Sequence, residues 1–277
     1  YDAAIASAMR LRNSVVAEVL LLVLVYGVGV GLVWRQFIAL DAATWYSLPT
    51  GTGGGPSLAG AWFVGISLPT FQFLLVRWYF RIFIWARFLW QISRIRLRIL
   101  PTHSDGAGGL SFLGGIAHAM APLAAAHGTL VAGVLADAIF HAGGRLTDFK
   151  VELFVLVVFM LALVAGPLLV FAPQLAAAKR RGNREYGALA QRHMREFDDK
   201  WLRGGAPRDE LLIGSPDISS AADITSTLAV VRTMQLVPFT RQALMQLAIA
   251  TLLPIAPLLL TIMPLEELLK LLLGVVV

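Results

Sequence analysis

Five apolar runs dominate the chain, at 15–38, 58–85, 110–140, 151–175 and 243–263. Each reaches the roughly 20 residues a helix needs to cross a ~30 Å hydrocarbon core. In that solvent every backbone N–H and C=O must be satisfied within the segment, so such runs fold as helices rather than as an open sheet. The expected architecture is all-α: a polytopic bundle of about five transmembrane helices with cytoplasmic helical extensions, assembled as a homo-oligomer in the lipid bilayer. Charged residues make up 14% of the chain, against about 25% in an ordinary soluble domain, and the mean hydropathy is +0.73. A soluble enzyme or binding domain is excluded. With no cysteine, disulfides, thiolate metal sites and cysteine nucleophiles are excluded too. Arg10 and Arg12 precede a run too long for a signal peptide and without a small-residue cleavage site, so the first run reads as a retained span.

Basic residues set the orientation. Arg10 and Arg12 precede the first run, Arg94, Arg96 and Arg98 follow the second, and Lys179, Arg180, Arg181, Arg184, Arg192 and Arg195 follow the fourth. Alternating spans put all three groups on one side, which the positive-inside rule makes cytoplasmic. The N-terminus is then cytoplasmic and the setting a bacterial inner membrane. The net charge of +6 belongs to this topology and calls for no nucleic-acid partner. Three regions follow: 1–175 with four spans, 176–241 with charged and amphipathic cytoplasmic helices, and 242–277 with a proline-kinked fifth span and a short terminal helix. Within the second region "REYGALAQRHMREFDDKWL" reads as an amphipathic helix continuing the fourth span, offering a surface to a cytoplasmic protein partner. Ser215 then starts another helix that runs to Pro238. In the third, Pro254, Pro257 and Pro264 interrupt the apolar run, and Glu266 and Glu267 suit the first turn of a last helix, either interfacial or re-entrant.

The segments "REFDDKWLRGGAP" (195–207), "VVRTMQLVPFTR" (230–241) and "LLPIAPLLLTIMPLEELLK" (252–270) resemble a family of uncharacterised multi-pass membrane proteins of bacteria, and "LPTHSDGAGGL" (100–110) resembles its cytoplasmic loop. The resemblance implies a bacterial inner-membrane protein and attaches no activity to it.

Ionisable groups in apolar spans are the candidate functional residues, because each costs several kcal/mol unless paired or wet. Arg77 and Arg81 are four apart and share a helix face. Along a subunit-lined path they would draw anions and repel cations, with Glu18 as counter-charge. Alternatively they snorkel to lipid phosphates within a belt formed by Trp78, Trp85 and Trp90. His127, near the middle of the third run, reads as a path-lining or proton-sensing group, or else as a neutral histidine hydrogen-bonded to a neighbouring helix. In "LPTHSDGAGGL" Pro101 stops the basic helix, Ser104 or Asp105 caps the next, and the glycines make the turn. The functional alternative is an anion or lipid-phosphate cradle built from Gly106 and Gly108 with His103, Arg96 and Arg98. Gly27 and Gly31 form a GxxxG packing face. No catalytic set, metal cluster or cofactor motif is recognisable: HExxH, GxSxG and Walker patterns are absent. The favoured function is therefore an oligomeric channel or transporter-like protein passing ions, anions first. A membrane enzyme or lipid-binding protein acting on anionic head groups, and a scaffold docking a cytoplasmic partner, are the alternatives.

Overall fold

A computed structural model describes residues 1–38, 47–48, 55–204, 211 and 214–261. The described residues are almost entirely helical, apart from loops and one two-residue antiparallel pairing of Ser47–Leu48 with Gly55–Pro56. Four helices are long and apolar enough to cross a membrane, at Leu58–Ser93, Ser111–His141, Leu146–Arg203 and Arg241–Thr261. A bent pair, Asp2–Arg12 with Val15–Gly31, makes a fifth if it is one span. The chain folds as two compact units, Tyr1–Ile95 and Arg96–Val277.

The N-terminal unit begins with α1 (Asp2–Arg12), and the bend to α2 (Val15–Leu24) is 47°. The local sequence explains the break: Ser14 is extended, and its hydroxyl accepts the Ala17 N–H at 3.2 Å, starting a new helix with Glu18 in its first turn. Beyond Leu24 the helix widens into a π-helical stretch, Val25–Ile38, through "YGVGVG". The return begins with α3 (Leu58–Trp62), whose Ser57 hydroxyl accepts the Gly60 N–H at 3.0 Å, and passes through π-helical Phe63–Ser67 into α4 (Leu68–Ser93). The Tyr26 hydroxyl donates to the Gly65 carbonyl at 3.3 Å, and Glu18 meets Arg77. The two strokes are thus antiparallel, and α1 packs on the C-terminal half of α4.

In the C-terminal unit a 3₁₀ turn (Ser111–Gly115) leads into α5 (Ile116–Ala142), another (Leu146–Phe149) into α6 (Lys150–Ala165), and a third (Gly166–Phe171) into α7 (Ala172–Asp198). The fourth span therefore runs on as one long, charged helical extension, as expected from its amphipathic pattern. A π-helical turn (Asp199–Arg203) precedes α8 (Pro216–Thr233), which packs along α7. The last span is α9 (Arg241–Leu252) followed by 3₁₀ turns over Leu253–Thr261, where Pro254 and Pro257 cannot donate to an α-helical ladder. The core lies between α5, α6 and α9, with Ala124, Met160, Val164 and Leu247 in one buried cluster and Leu135, Leu146, Leu156, Ile255 and Leu258 in another. Gly128 permits that packing, since a Cβ there would lie 2.0 Å from the Thr251 carbonyl oxygen.

Two local expectations are corrected, and the GxxxG stretch makes its close contact within the chain at a glycine the spacing did not single out. The basic helix stops at Ser93, whose hydroxyl bonds back to the Trp90 carbonyl at 2.8 Å, so Arg96 and Arg98 lie on non-helical chain ahead of Pro101. The helix after Ser215 ends at Thr233 rather than Pro238, because buried Met234 turns extended and anchors the loop. In the GxxxG stretch, Gly29 abuts the Gln72 amide, while a Cβ on Gly27 would meet nothing within 4 Å and one on Gly31 only the Tyr26 carbonyl. The terminal-helix reading for Glu266 and Glu267 lies outside the described residues.

Candidate functional site

Three of the sequence-derived candidates converge in the N-terminal unit. Arg77 Nη2 lies 2.8 Å from Glu18 Oε1, and neither side chain is buried, at 39% and 43% exposure. Arg81, one turn on, is exposed and rests against the Trp78 ring, its guanidinium carbon 5.5 Å from the centroid. All three line a groove of about 670 Å³ between α1, α2 and α4. The groove also collects Arg12 and Asn13 from the α1–α2 bend. Its walls are apolar: Ile5, Ala8 and Met9 from α1, Leu21 from α2, and Phe80, Ile84, Trp85 and Phe88 from α4.

The charge in this groove is unbalanced. Three guanidinium groups face one carboxylate, and among the described residues no carboxylate is in ion-pair contact with Arg12 or Arg81. Arginine is weakly hydrated for a cation and presents a planar fork of donors, so two such groups over an apolar floor suit an anion with an apolar body. Arg12 escaped the sequence reading because its membership depends on α1 folding onto α4, and a bend of 47° at Asn13 and Ser14 cannot be computed from hydropathy.

The "LPTHSDGAGGL" loop lies in the C-terminal unit, and its donors converge on the chain's own Asp105. Oδ1 accepts the N–H of Ala107 at 2.8 Å and of Gly109 at 3.0 Å, and Oδ2 accepts that of Ser111 at 3.0 Å. His103 Nδ1 lies 2.9 Å from Oδ1. Burial pushes the Asp105 carboxyl up, but the Gly109, Ser111 and Ala107 amides together with His103 outweigh it and hold the group well below the ordinary carboxylate range. Gly106, Gly108 and Gly109 all have positive φ, which wraps the loop around the carboxylate. The loop is also tied from outside by the Gln235 N–H, which donates to the Gly106 carbonyl at 2.7 Å, and neighbouring chain is held by Lys179 Nζ on the Met234 carbonyl at 2.7 Å and Arg181 on the Ile99 carbonyl at 3.4 Å. Gly106 N–H itself turns back to the His103 carbonyl at 3.1 Å. Arg96 and Arg98 remain exposed.

His127 belongs to the C-terminal unit and is 8% exposed. Its Nδ1 lies 2.8 Å from the Leu123 carbonyl oxygen one turn back on its own helix, and its ring is 6.4 Å from that of Phe159. A further polar cluster joins the π-helical turn to α8, where Asp217 accepts from Lys200 at 2.7 Å and from the Trp201 indole at 3.0 Å. Those two donors lower the Asp217 pKa. Among the described residues no group of three or more His, Cys, Asp or Glu could hold a metal ion. Compared with protein-family models, curated proteins and solved structures, the chain matches none.

Proposed function

We propose that the chain is a multi-pass membrane protein that binds an anionic amphiphile in the α1–α4 groove, with the anionic group held by Arg12 and Arg81 beside the Glu18–Arg77 pair. The supporting observation is the combination in one groove of surplus guanidinium charge and aromatic and aliphatic walls. A hydrated inorganic ion needs no apolar wall, and a neutral apolar ligand needs no arginines. Volume agrees with small-molecule sites, which occupy about 300–1,000 Å³. Arg10 and Arg12 on α1 and Arg87 and Arg94 toward the end of α4 gather at one end of the antiparallel pair. Under the positive-inside rule that end, and with it the N-terminus, is cytoplasmic.

Native mass spectrometry from neutral-detergent micelles tests this. Wild-type protein should carry anionic amphiphile adducts, and the Arg12→Gln/Arg81→Gln variant should lose them. Equal adducts on both would overturn the reading.

Anion conduction is the second reading, favoured by Arg12 and Arg81 having no carboxylate in ion-pair contact among the described residues. It needs an oligomer, and the open flank of Gly27 supplies a face on which helices of two copies could approach. A protein-dependent current in a planar bilayer, reversing near the chloride potential and altered by Arg81→Gln, is its expected signature.

A further inference from the structure

The orientation of the groove relative to the bilayer discriminates between classes of anionic amphiphile. Residues 58–76 carry no charge and supply about 19 residues, or ~28 Å of helix at 1.5 Å per residue. In the antiparallel stroke, residues 19–38 are uncharged up to Arg35 at the far end. Both stretches end at the same place, the Glu18–Arg77 ion pair. That pair therefore marks a boundary of the hydrocarbon core, where charged side chains can reach water and head groups.

Apart from Leu21, the apolar wall of the groove lies beyond this boundary. Phe80, Ile84, Trp85 and Phe88 follow Arg77 on α4, out to about 16 Å from it along the helix axis, and Met9 and Ile5 face them from α1. The cationic end thus points toward the bilayer and the apolar end away from it. A phospholipid has the opposite polarity: with its phosphate at Arg81 its chains run into the hydrocarbon, and the floor between α1 and α4 is left to the head group. A single-chain acid arriving from the water has the matching polarity. Glu18 shows the anion chemistry, since Arg77 already holds a carboxylate here at 2.8 Å, and Arg12 and Arg81 can offer a second carboxylate the same guanidinium fork.

We infer that the groove takes a free single-chain carboxylate from the aqueous side, its carboxylate against Arg12 and Arg81 and its chain lying along Phe80, Trp85 and Met9, in preference to a bilayer phospholipid. This rests on the groove being an anionic-amphiphile site. Trp85 supplies the readout, because bromine quenches indole fluorescence on contact. The full-length protein in phosphatidylcholine nanodiscs is titrated with undecanoate carrying a terminal bromine, and separately prepared with phosphatidylglycerol brominated on its acyl chains. Subtracting the Trp85→Phe signal isolates the Trp85 contribution in each case.

The expected result is saturable quenching of Trp85 by the acid, with the half-saturating concentration raised about tenfold or more in Arg12→Gln/Arg81→Gln, and no arginine-dependent quenching by the phospholipid. Met9→Glu, which keeps all three arginines and sets a like charge beside the chain path, should weaken the acid by a similar factor and keeps the test decisive if the arginine variant folds poorly. Arginine-dependent quenching by the phospholipid at least as strong as by the acid would overturn the inference while leaving the anionic-amphiphile reading intact. Absence of arginine-dependent quenching by either would overturn both.

Discussion

Asp105 and Glu18 are both carboxylates in an apolar chain, and they are satisfied in opposite ways. Asp105 receives three backbone N–H groups and the His103 ring, so its capacity as an acceptor is largely filled by its own loop. Glu18 receives the Arg77 guanidinium, in a pair that stays some 40% exposed and shares its groove with Arg12 and Arg81. The glycine-rich loop looks more like an anion site, yet its converging amides are occupied from within. The groove looks like an ordinary snorkelling arginine pair, yet it holds more positive than negative charge. Cations left without a carboxylate after folding mark a place for an anionic ligand better than a cradle-shaped sequence does.

The largest effect follows from emptying the loop. Asp105→Ala would leave the Ala107, Gly109 and Ser111 amides without their acceptor, and hydrogen bonds to a charged group contribute about 1.5–3 kcal/mol each. With relaxation and water compensating part of this, we expect a loss on the order of 3 kcal/mol, seen as about 6–12 °C in thermal unfolding in neutral detergent. A shift under a degree would mean that the loop is a dispensable collar, and the contrast with Glu18 would fail.

Gly108→Ala sharpens the same point through the backbone. Its φ is +65°, and a Cβ there would lie 2.3 Å from Ile99 Cγ2 and 3.0 Å from Met234 Cε. Strain and overpacking together should cost about 1–3 kcal/mol. The loop can relax locally while Asp105 stays bonded, so this effect should fall below that of Asp105→Ala in the same melt.

Acid tests the Asp105 collar directly. The Asp105 pKa is held below its unfolded value near 4, so its contribution is fully present above that value and fades as pH falls through the folded pKa. Stability of wild type over Asp105→Asn should therefore be constant from neutral pH down to about pH 5 and shrink below about pH 4. A gap that grew on acidification would contradict the amide-stabilised carboxylate.

Much of the fold was legible because hydropathy is a one-dimensional property. The five apolar runs carry four long helices and one bent pair, and the amphipathic pattern after 175 runs as a helix into the π-helical turn ending at Arg203. The Ser215 start is legible for the same local reason, since its hydroxyl accepts the Asp217 N–H at 3.2 Å. What required three dimensions was illegible. Arg77 with Arg81 followed from helical spacing, but Arg12 and Met9 join them only because α1 folds back on α4. Likewise, the cradle motif was visible in "HSDGAGGL", but whether a ligand or Asp105 fills it depends on positive φ at Gly106, Gly108 and Gly109. Gly29 and Gly128 make the close approaches that the Gly27–Gly31 spacing suggested elsewhere, because a helix face is chosen by its partner.

Removing the other carboxylate should act on binding rather than stability. A half-exposed pair such as Glu18–Arg77 is worth under about 1 kcal/mol. Glu18→Gln should therefore lower thermal stability by no more than about 2–4 °C. Because it leaves Arg77 available beside Arg12 and Arg81, it should also tighten brominated undecanoate by roughly three- to tenfold. Weaker binding would assign Glu18 to shaping the groove rather than competing for its arginines.

Asp137 gives the smallest effect and the control for the comparison. It is paired one helical turn from His141, with Asp137 Oδ1 3.1 Å from Nδ1, but the two side chains are 79% and 78% exposed. Among the described residues no amide collar surrounds it and no surplus cation lines a groove beside it, so it lacks both the filled donors of Asp105 and the open cations around Glu18. Asp137→Asn should alter stability by less than about 0.5 kcal/mol and leave acid binding unchanged. If it matched Asp105→Ala in the melt, proximity of a carboxylate to a histidine, which both sites share, would explain more than the three amides do. If it altered binding, the surplus charge of the groove would no longer account for where the anion goes. An unchanged melt and an unchanged titration would isolate the two properties that distinguish the sites: donors filled by the chain at Asp105, and cations in surplus around Glu18.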